Sequence, residues 1–302
     1  MSTTLTTTTS SPTLTHISQS PPSPPQGDVH ATLHFYHPPP DNSLPYNLAD
    51  LNQRNYGSSP HQVLIRDARP VAESFTLDHD AFQILFNQPP ASSEPSNWTD
   101  DESIQKHYYP EVESLLLKTV PGANKVIIFD HTIRRSGQVP EGVRTPVPRV
   151  HIDQTGPATI QRIYRHASST EEAKQLLKGR YRIINVWRPL TPYPVESWPL
   201  AFASSHSVSE EDIVPVEHRY TKTGYIGQTA AVRYNAGQQW WYLSGMRDTE
   251  RVLLECFDSW GEKEGSGVKG GRCAHTAFED RRMGEGARER WSVEVRALVF
   301  GP

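Results

Sequence analysis

A mainly β fold, a sandwich or barrel with a few helices laid around it, is what this sequence predicts, and three observations carry that prediction. Short runs rich in β-branched and aromatic residues recur from residue 29 to the end, separated by Pro, Gly, Asn and Ser clusters. Helical patterning is confined to a few segments. Neither an internal repeat nor a linker interrupts residues 29–302, so the strands belong to one domain.

In chain order, residues 1–28 are Ser/Thr/Pro-rich and nearly free of apolar residues. Such a segment cannot offset the entropy of ordering, so a disordered tail is expected. The tail lacks arginine, which argues against an organelle transit peptide. Strands are expected at "ATLHFY", "HQVLIRD", "AFQILFN", "NKVIIFDHTIR", "RVHIDQ", "YRIINVW", "AAVRYN", "QQWWYLSG" and "RWSVEVRALVF". Among them, "DDESIQKHYYPEVESLLLKTVPG" has capping acids and an internal Pro110, which predicts one broken helix or two short ones. "SSTEEAKQLLKG" has Ser caps, acids in its first turn and Gly179 at its end. "RDTERVLLECFDS" is a third helix candidate capped by Asp248, although a short buried strand gives the same apolar cluster.

The net charge is −4 with acids and bases interspersed, which leaves no basic face for nucleic acid and no polybasic membrane patch. No apolar run approaches a membrane span, and no secretory signal opens the chain. With only Cys256 and Cys273, free thiols in a reducing, cytoplasmic setting are expected, and a small-molecule partner.

On a strand, His151 and Asp153 project to one face with Ile152 on the other. A non-haem Fe(II) centre needs two imidazoles and one carboxylate on one face of the ion, so this pair supplies two of three ligands. His206, His218 and His275 compete for the third. The first two lie in polar, turn-like segments, and His275 lies in a short strand-like run. Fifteen residues beyond it, Arg290, Ser292, Glu294 and Arg296 share one strand face, opposite Trp291, Val293, Val295 and Ala297. A guanidinium and a hydroxyl two apart can hold the far carboxylate of a 2-oxoglutarate co-substrate; a solvated face of Arg–Glu pairs is the other reading. Cys273 is read as a buried free thiol rather than a ligand.

The segments "VLIRDARPVAESFTLDHDAFQILFNQPP", "YYPEVESLLLKTVPGANKVIIFDHTIRR", "RVHIDQTGPA", "GRYRIINVWRPL", "CAHTAF" and "RWSVEVRALVF" occur in this order. Together they resemble the family of gibberellin desaturases, aspergillic-acid-pathway hydroxylases and cephalosporin 7α-hydroxylases over roughly residues 29–300. The resemblance implies an Fe(II)- and 2-oxoglutarate-dependent dioxygenase of secondary metabolism on a double-stranded β-helix, a jelly-roll of cupin-like type with peripheral α-helices. It implies His151, Asp153 and His275 as catalytic metal ligands, and Arg290, Ser292 and Arg296 as the co-substrate's partners. In the family segment "NVWRPL", Asn185, Trp187 and Arg188 are suited to line a substrate pocket.

One departure stands out: relatives carry an acidic residue where this chain has Ala203, Ser204 and Ser205, which bears on the substrate rather than the iron. The Gly-rich stretch over residues 260–272 reads as a mobile loop, either a lid or an inert insertion. The expected reaction is hydroxylation or desaturation of a small molecule, with dioxygen and with oxidative decarboxylation of 2-oxoglutarate to succinate. A non-catalytic small-molecule-binding jelly-roll and a metal-dependent hydrolase using the same H-x-D pair are the competing classes.

Overall fold

Because its apolar runs are rich in β-branched and aromatic residues, the chain forms fifteen strands paired into two sheets. The computed structural model describes residues 23–90, 95 and 98–302. The expected tail therefore lies mostly outside the described residues. Its last residues do not behave as a tail: Gly27 N donates to Asp67 Oδ2 at 2.9 Å, and Arg282 Nη1 donates to the carbonyls of Gly27 and Asp28 at 3.0 Å. Backbone carbonyls met by a guanidinium order the chain here where side-chain composition predicts no order.

The larger sheet has ten strands in the spatial order β1 (Val29–His37), β4 (Gly57–Asp67), β12 (Trp240–Tyr242), β9 (Leu200–Ala203), β14 (His275–Ala277), β7 (His151–Ile152), β11 (Ile226–Val232), β10 (Ile213–Arg219), β2 (Tyr46–Leu48) and β3 (Gln53–Arg54). The smaller has five, β5 (Phe82–Leu85), β13 (Arg251–Asp258), β8 (Tyr181–Pro189), β15 (Trp291–Phe300) and β6 (Lys125–Arg135). Leu33, Phe35, Ile65, Ile152 and Trp240 of the larger sheet pack against Ile183, Phe257, Leu298 and Phe300 of the smaller, so one core fills the space between them. This is the double-stranded β-helix expected, with helices on its outside.

Residues 100–122 form two helices, α2 (Asp101–His107) and α3 (Tyr109–Thr119), separated where Pro110 opens the second. Leu116 and Val112 of α3 cover Val293, Val295, Ala297 and Val299, the outward face of β15. α1 (Leu77–Asp80) is a single turn, and α5 (Thr170–Leu176) is capped by the Ser169 side chain as its sequence predicts. α4 (Gly156–His166) was not foreseen, although Pro157 in its first turn and the basic residues of its last are ordinary helix signals. The third helix candidate is a strand, β13: all eight residues are buried between β5 and β8, and burial on both faces favours the strand alternative.

Pairing of β15 with β6 skips a residue. Arg296 is opposite Asp130 and Ala297 is opposite Ile128, which leaves Phe129 as the extra residue of a bulge. Consequently Phe129 packs on the inter-sheet core while Asp130, its neighbour, reaches Arg296 on that same side.

Candidate active site

His151 and His275 are brought together because β7 and β14 are adjacent and antiparallel, with these two residues directly opposite. Their rings lie 4.4 Å apart. Asp153 follows the end of β7 and turns back so that its Oδ1 is 3.4 Å from His151 Nε2. One donor atom from each of the three falls within 4.8 Å of the others.

Backbone carbonyls fix the tautomers. His151 Nδ1 is 2.8 Å from Arg149 O and His275 Nδ1 is 3.1 Å from Cys273 O. A carbonyl only accepts, so each Nδ1 carries the proton and each Nε2 presents a lone pair. His275 Nε2 is buried and has no hydrogen-bond partner, the signature of an atom placed for a ligand. Burial, aided by the neighbouring His151, lowers His275 to about 4, so the ring is neutral at pH 7.

Asp153 is held by its second oxygen. Oδ2 accepts from Asn185 Nδ2 and from Arg296 Nε, both at 2.8 Å, which leaves Oδ1 turned toward His151. Burial works against its charge, but the Arg296 guanidinium beside it holds the carboxyl well below the usual carboxylate range. Arg296 is fully committed: beyond Asp153 it meets Asp130 at 3.2 Å, Thr132 at 3.0 Å and Glu294 at 2.6 Å. Arg290 differs. It is buried, its Nη1 donates to the Trp198 carbonyl, its Nε has no partner, and no carboxylate of the described residues pairs with it. A buried guanidinium without a counter-ion is costly unless an anion arrives.

A small chamber joins these parts, lined by His151 and His275 at one side and by Arg290, Arg134, Glu294 and Trp187 around it. The second and wider cavity, about 220 Å³, opens onto His151 and Asp153 from the other direction. Its wall carries Arg134, Arg144, Arg149, Arg162 and His218. Among the described residues its carboxylates are Asp130 and Asp153, both bonded to Arg296.

Several sequence-predicted residues change place or partner. Asn185 and Trp187 face inward, Asn185 bonding Asp153 and Trp187 lining the chamber. Arg188 does not join them: one position further along β8, it points to the outer face, its guanidinium 5.5 Å from the rings of Trp98 and Tyr108. Ser292 is buried on the inward face of β15 but is not part of the chamber wall. Cys273 is a buried free thiol as expected. No residue of the 260–272 loop lines either cavity. Two residues weighed and set aside from the sequence prove to line the wider cavity. His218, read as turn-like and solvated, lies on β10 with its Nδ1 buried, and burial lowers it from its ordinary value. Gln154, set aside by strand parity, lines the wider cavity because β7 ends at Ile152 and the chain turns.

A double-stranded β-helix carrying two imidazoles and one carboxylate on a shared face is the arrangement of the non-haem Fe(II) oxygenases. The comparisons agree. Residues 33–300 match the family described as "Oxidoreductase/YMDC permease-like domain". The hydroxylase/desaturase poxK of Penicillium oxalicum is 36% identical over 311 residues, 92% of this chain and 93% of that one. The Fe(II)/2-oxoglutarate-dependent dioxygenase nvfI of Aspergillus novofumigatus is 32% identical, covering 82% of this chain and 86% of its own. A solved structure of the iron and alpha-ketoglutarate-dependent endoperoxidase NvfI superposes with a TM-score of 0.81 at 28% identity, over 92% of this chain and 99% of that one. The chain belongs to the fungal family of Fe(II)/2-oxoglutarate-dependent hydroxylases and desaturases. It is an enzyme of the oxidoreductase class, and none of its described helices is long and apolar enough to cross a membrane.

Proposed function

We propose that residues 29–302 act as one oxygenase unit that hydroxylates or desaturates an acidic small molecule of secondary metabolism, using Fe(II), dioxygen and 2-oxoglutarate. The observation that carries this reading is the convergence of His151, Asp153 and His275, with His275 Nε2 buried and without a hydrogen-bond partner, beside a buried Arg290 that has no counter-ion among the described residues. Fe(II) fits the donor set: His151 and His275 offer neutral imidazoles and Asp153 a carboxylate kept ionised by Arg296. Together with 2-oxoglutarate and dioxygen, the iron supplies the oxidising power that takes hydrogen from an unactivated C–H bond.

The protein's own work is placement. Arg290, which lines the chamber, receives the far carboxylate of 2-oxoglutarate, while Ser292, the second donor the sequence suggests, lies outside the chamber wall. Arg296 acts differently from the partner role its sequence suggests. Bonded to Asp153, Asp130 and Glu294, it positions the iron-binding carboxylate and does not reach for the co-substrate. Asn185 adds a second hydrogen bond to Asp153, and Trp187 walls the chamber.

The wider cavity favours an acid as substrate. Arg134, Arg144, Arg149 and Arg162 pair with no carboxylate of the described residues, and both acids in the wall are already satisfied by Arg296. Low-dielectric walls strengthen the pull of these four charges on an anion.

The test is succinate release from 2-oxoglutarate under Fe(II) and air, screened against carboxylated metabolites and their methyl esters. Substrate-dependent succinate with the acids and a much weaker response to the esters is expected. Turnover that persists anaerobically without 2-oxoglutarate would overturn the oxygenase reading, and equal use of esters would overturn the acidic substrate.

A further inference from the structure

A second cluster of metal-type side chains lies away from both cavities. Asp80 ends α1 with its side chain 5% exposed, and its carboxylate is oriented by Ser204 Oγ at 2.9 Å and by the Thr76 amide at 3.3 Å. Two imidazoles flank it. His79 Nδ1 is 3.2 Å from Asp80 Oδ2, and His206 Nδ1 is 3.7 Å from Asp80 Oδ1. The two rings are 4.6 Å apart and inclined at 45°, and one donor atom from each of the three residues lies within 4.8 Å of the others.

These separations have a chemical meaning. Donors bonded at about 2.0–2.1 Å to a tetrahedral zinc ion sit roughly 3.3 Å from one another. The His79–Asp80 distance of 3.2 Å matches that value; His206 Nδ1 also faces the His79 carbonyl at 3.4 Å, which leaves the His206 lone pair for an ion on Nε2. The carboxylate is buried and fixed by hydrogen bonds, whereas both rings are open to solvent on one side, which gives an ion a route in and leaves positions for water.

The cluster also joins chain segments remote in sequence. His79 and Asp80 come from the turn before β5, and His206 comes from the turn that continues β9. Ser205, beside His206, donates to the carbonyls of His79 and of Lys269, and Lys269 N donates to Asp78 O at 2.7 Å. An ion here would fasten the two turns at the point where the Gly-rich loop comes down on them.

We propose that His79, Asp80 and His206 form a second divalent-metal site, separate from the catalytic one, that takes a zinc-class ion and clasps these turns together. Two imidazoles and a carboxylate suit Zn²⁺ and Cu²⁺ better than Mg²⁺ or Ca²⁺, which prefer all-oxygen shells. The site performs no redox step. Its occupancy would show in stability rather than in turnover.

The experiment is an anaerobic titration of metal-free, full-length protein with Zn²⁺ against a chromophoric chelator, alongside thermal melts. Wild type is expected to take two equivalents. His275→Ala should keep the clasp equivalent, and its melting temperature should rise with Zn²⁺. His79→Ala with His206→Ala should take one equivalent and retain Fe(II)/2-oxoglutarate turnover within about twofold. His206→Gln serves as the gentler variant and should also lose the clasp equivalent. No Zn²⁺ uptake by His275→Ala, or an uptake by the His79/His206 double variant equal to that of wild type, overturns the proposal. Because His275→Ala isolates the clasp, failure of the oxygenase reading would leave this result standing.

Discussion

The molecule presents the same donor set twice, His151–Asp153–His275 between the sheets and His79–Asp80–His206 at the surface. Their imidazole–carboxylate distances are alike, 3.4 Å in the first and 3.2 Å in the second. What surrounds them is not. The inner carboxylate is gripped by a guanidinium that two further acids share, and an unpaired Arg290 waits across the chamber. The outer carboxylate is gripped by a hydroxyl and an amide, and it lines neither of the two cavities. Side-chain donors choose the metal, and the charges and space around them choose whether chemistry can follow.

The sharpest way to break the comparison is to remove one histidine from each cluster. His275→Ala should lower substrate-dependent succinate formation by about a thousandfold or more, the scale of losing a group essential to the chemical step. His206→Ala should change it by less than about twofold. Comparable losses in both would mean that the two clusters act as one site.

Next in size is the test of the surrounding charge. Arg290→Ala should raise the 2-oxoglutarate concentration needed for half-maximal rate by about 100-fold, the loss of roughly 3 kcal/mol of charge-assisted bonding. Arg290→Lys should recover part of it, since a point charge lacks the two-pronged fork. Arg296→Lys should leave the co-substrate requirement near wild type and weaken iron binding by about 10–100-fold, as removal of a group orienting a metal ligand does. A co-substrate defect in Arg296→Lys larger than in Arg290→Lys would reverse the roles given to the two arginines.

The smallest effect is on the pH dependence of the metal-free protein. His275 is lowered from 6.5 to about 4 by burial. Between those values the unfolded chain binds a proton at this position that the folded chain refuses. Its contribution, roughly 3 kcal/mol at most, is therefore present above pH 6.5 and is lost as the pH falls toward 4. Denaturant melts of His275→Gln should show a flatter loss of stability through this window than wild type. Identical slopes would mean that the ring titrates normally.

Much of this was legible in the chain because strand parity is a strong rule. The alternation of β15 correctly separated Ser292, Glu294 and Arg296 from the valines that α3 covers. The same rule, applied to β8, separates Arg188 from Asn185 and Trp187, and reading the motif as one cluster missed it. Parity also misplaced Gln154, because β7 is only two residues long and the rule ends with the strand. What could not be read was convergence. His218, Arg144 and Arg162 come from β10, the approach to β7 and α4, and no local pattern says that they share a wall. Nor does spacing distinguish the arginine that is saturated with carboxylates from the one that has no counter-ion among the described residues. That difference arises only from which strands become neighbours.

The bulge at Phe129 carries a consequence of its own. In an unbroken strand an aromatic ring and the carboxylate after it would be out of phase, one inside and one outside. The inserted residue resets the phase midway along β6, so that its first half keeps time with the hydrophobic core and its second half with the arginine hub. Drawing Phe129 into the ladder as an ordinary paired residue would leave every residue of the strand chemically unchanged and yet turn Asp130 and Thr132 away from Arg296, replacing them with His131 and Ile133.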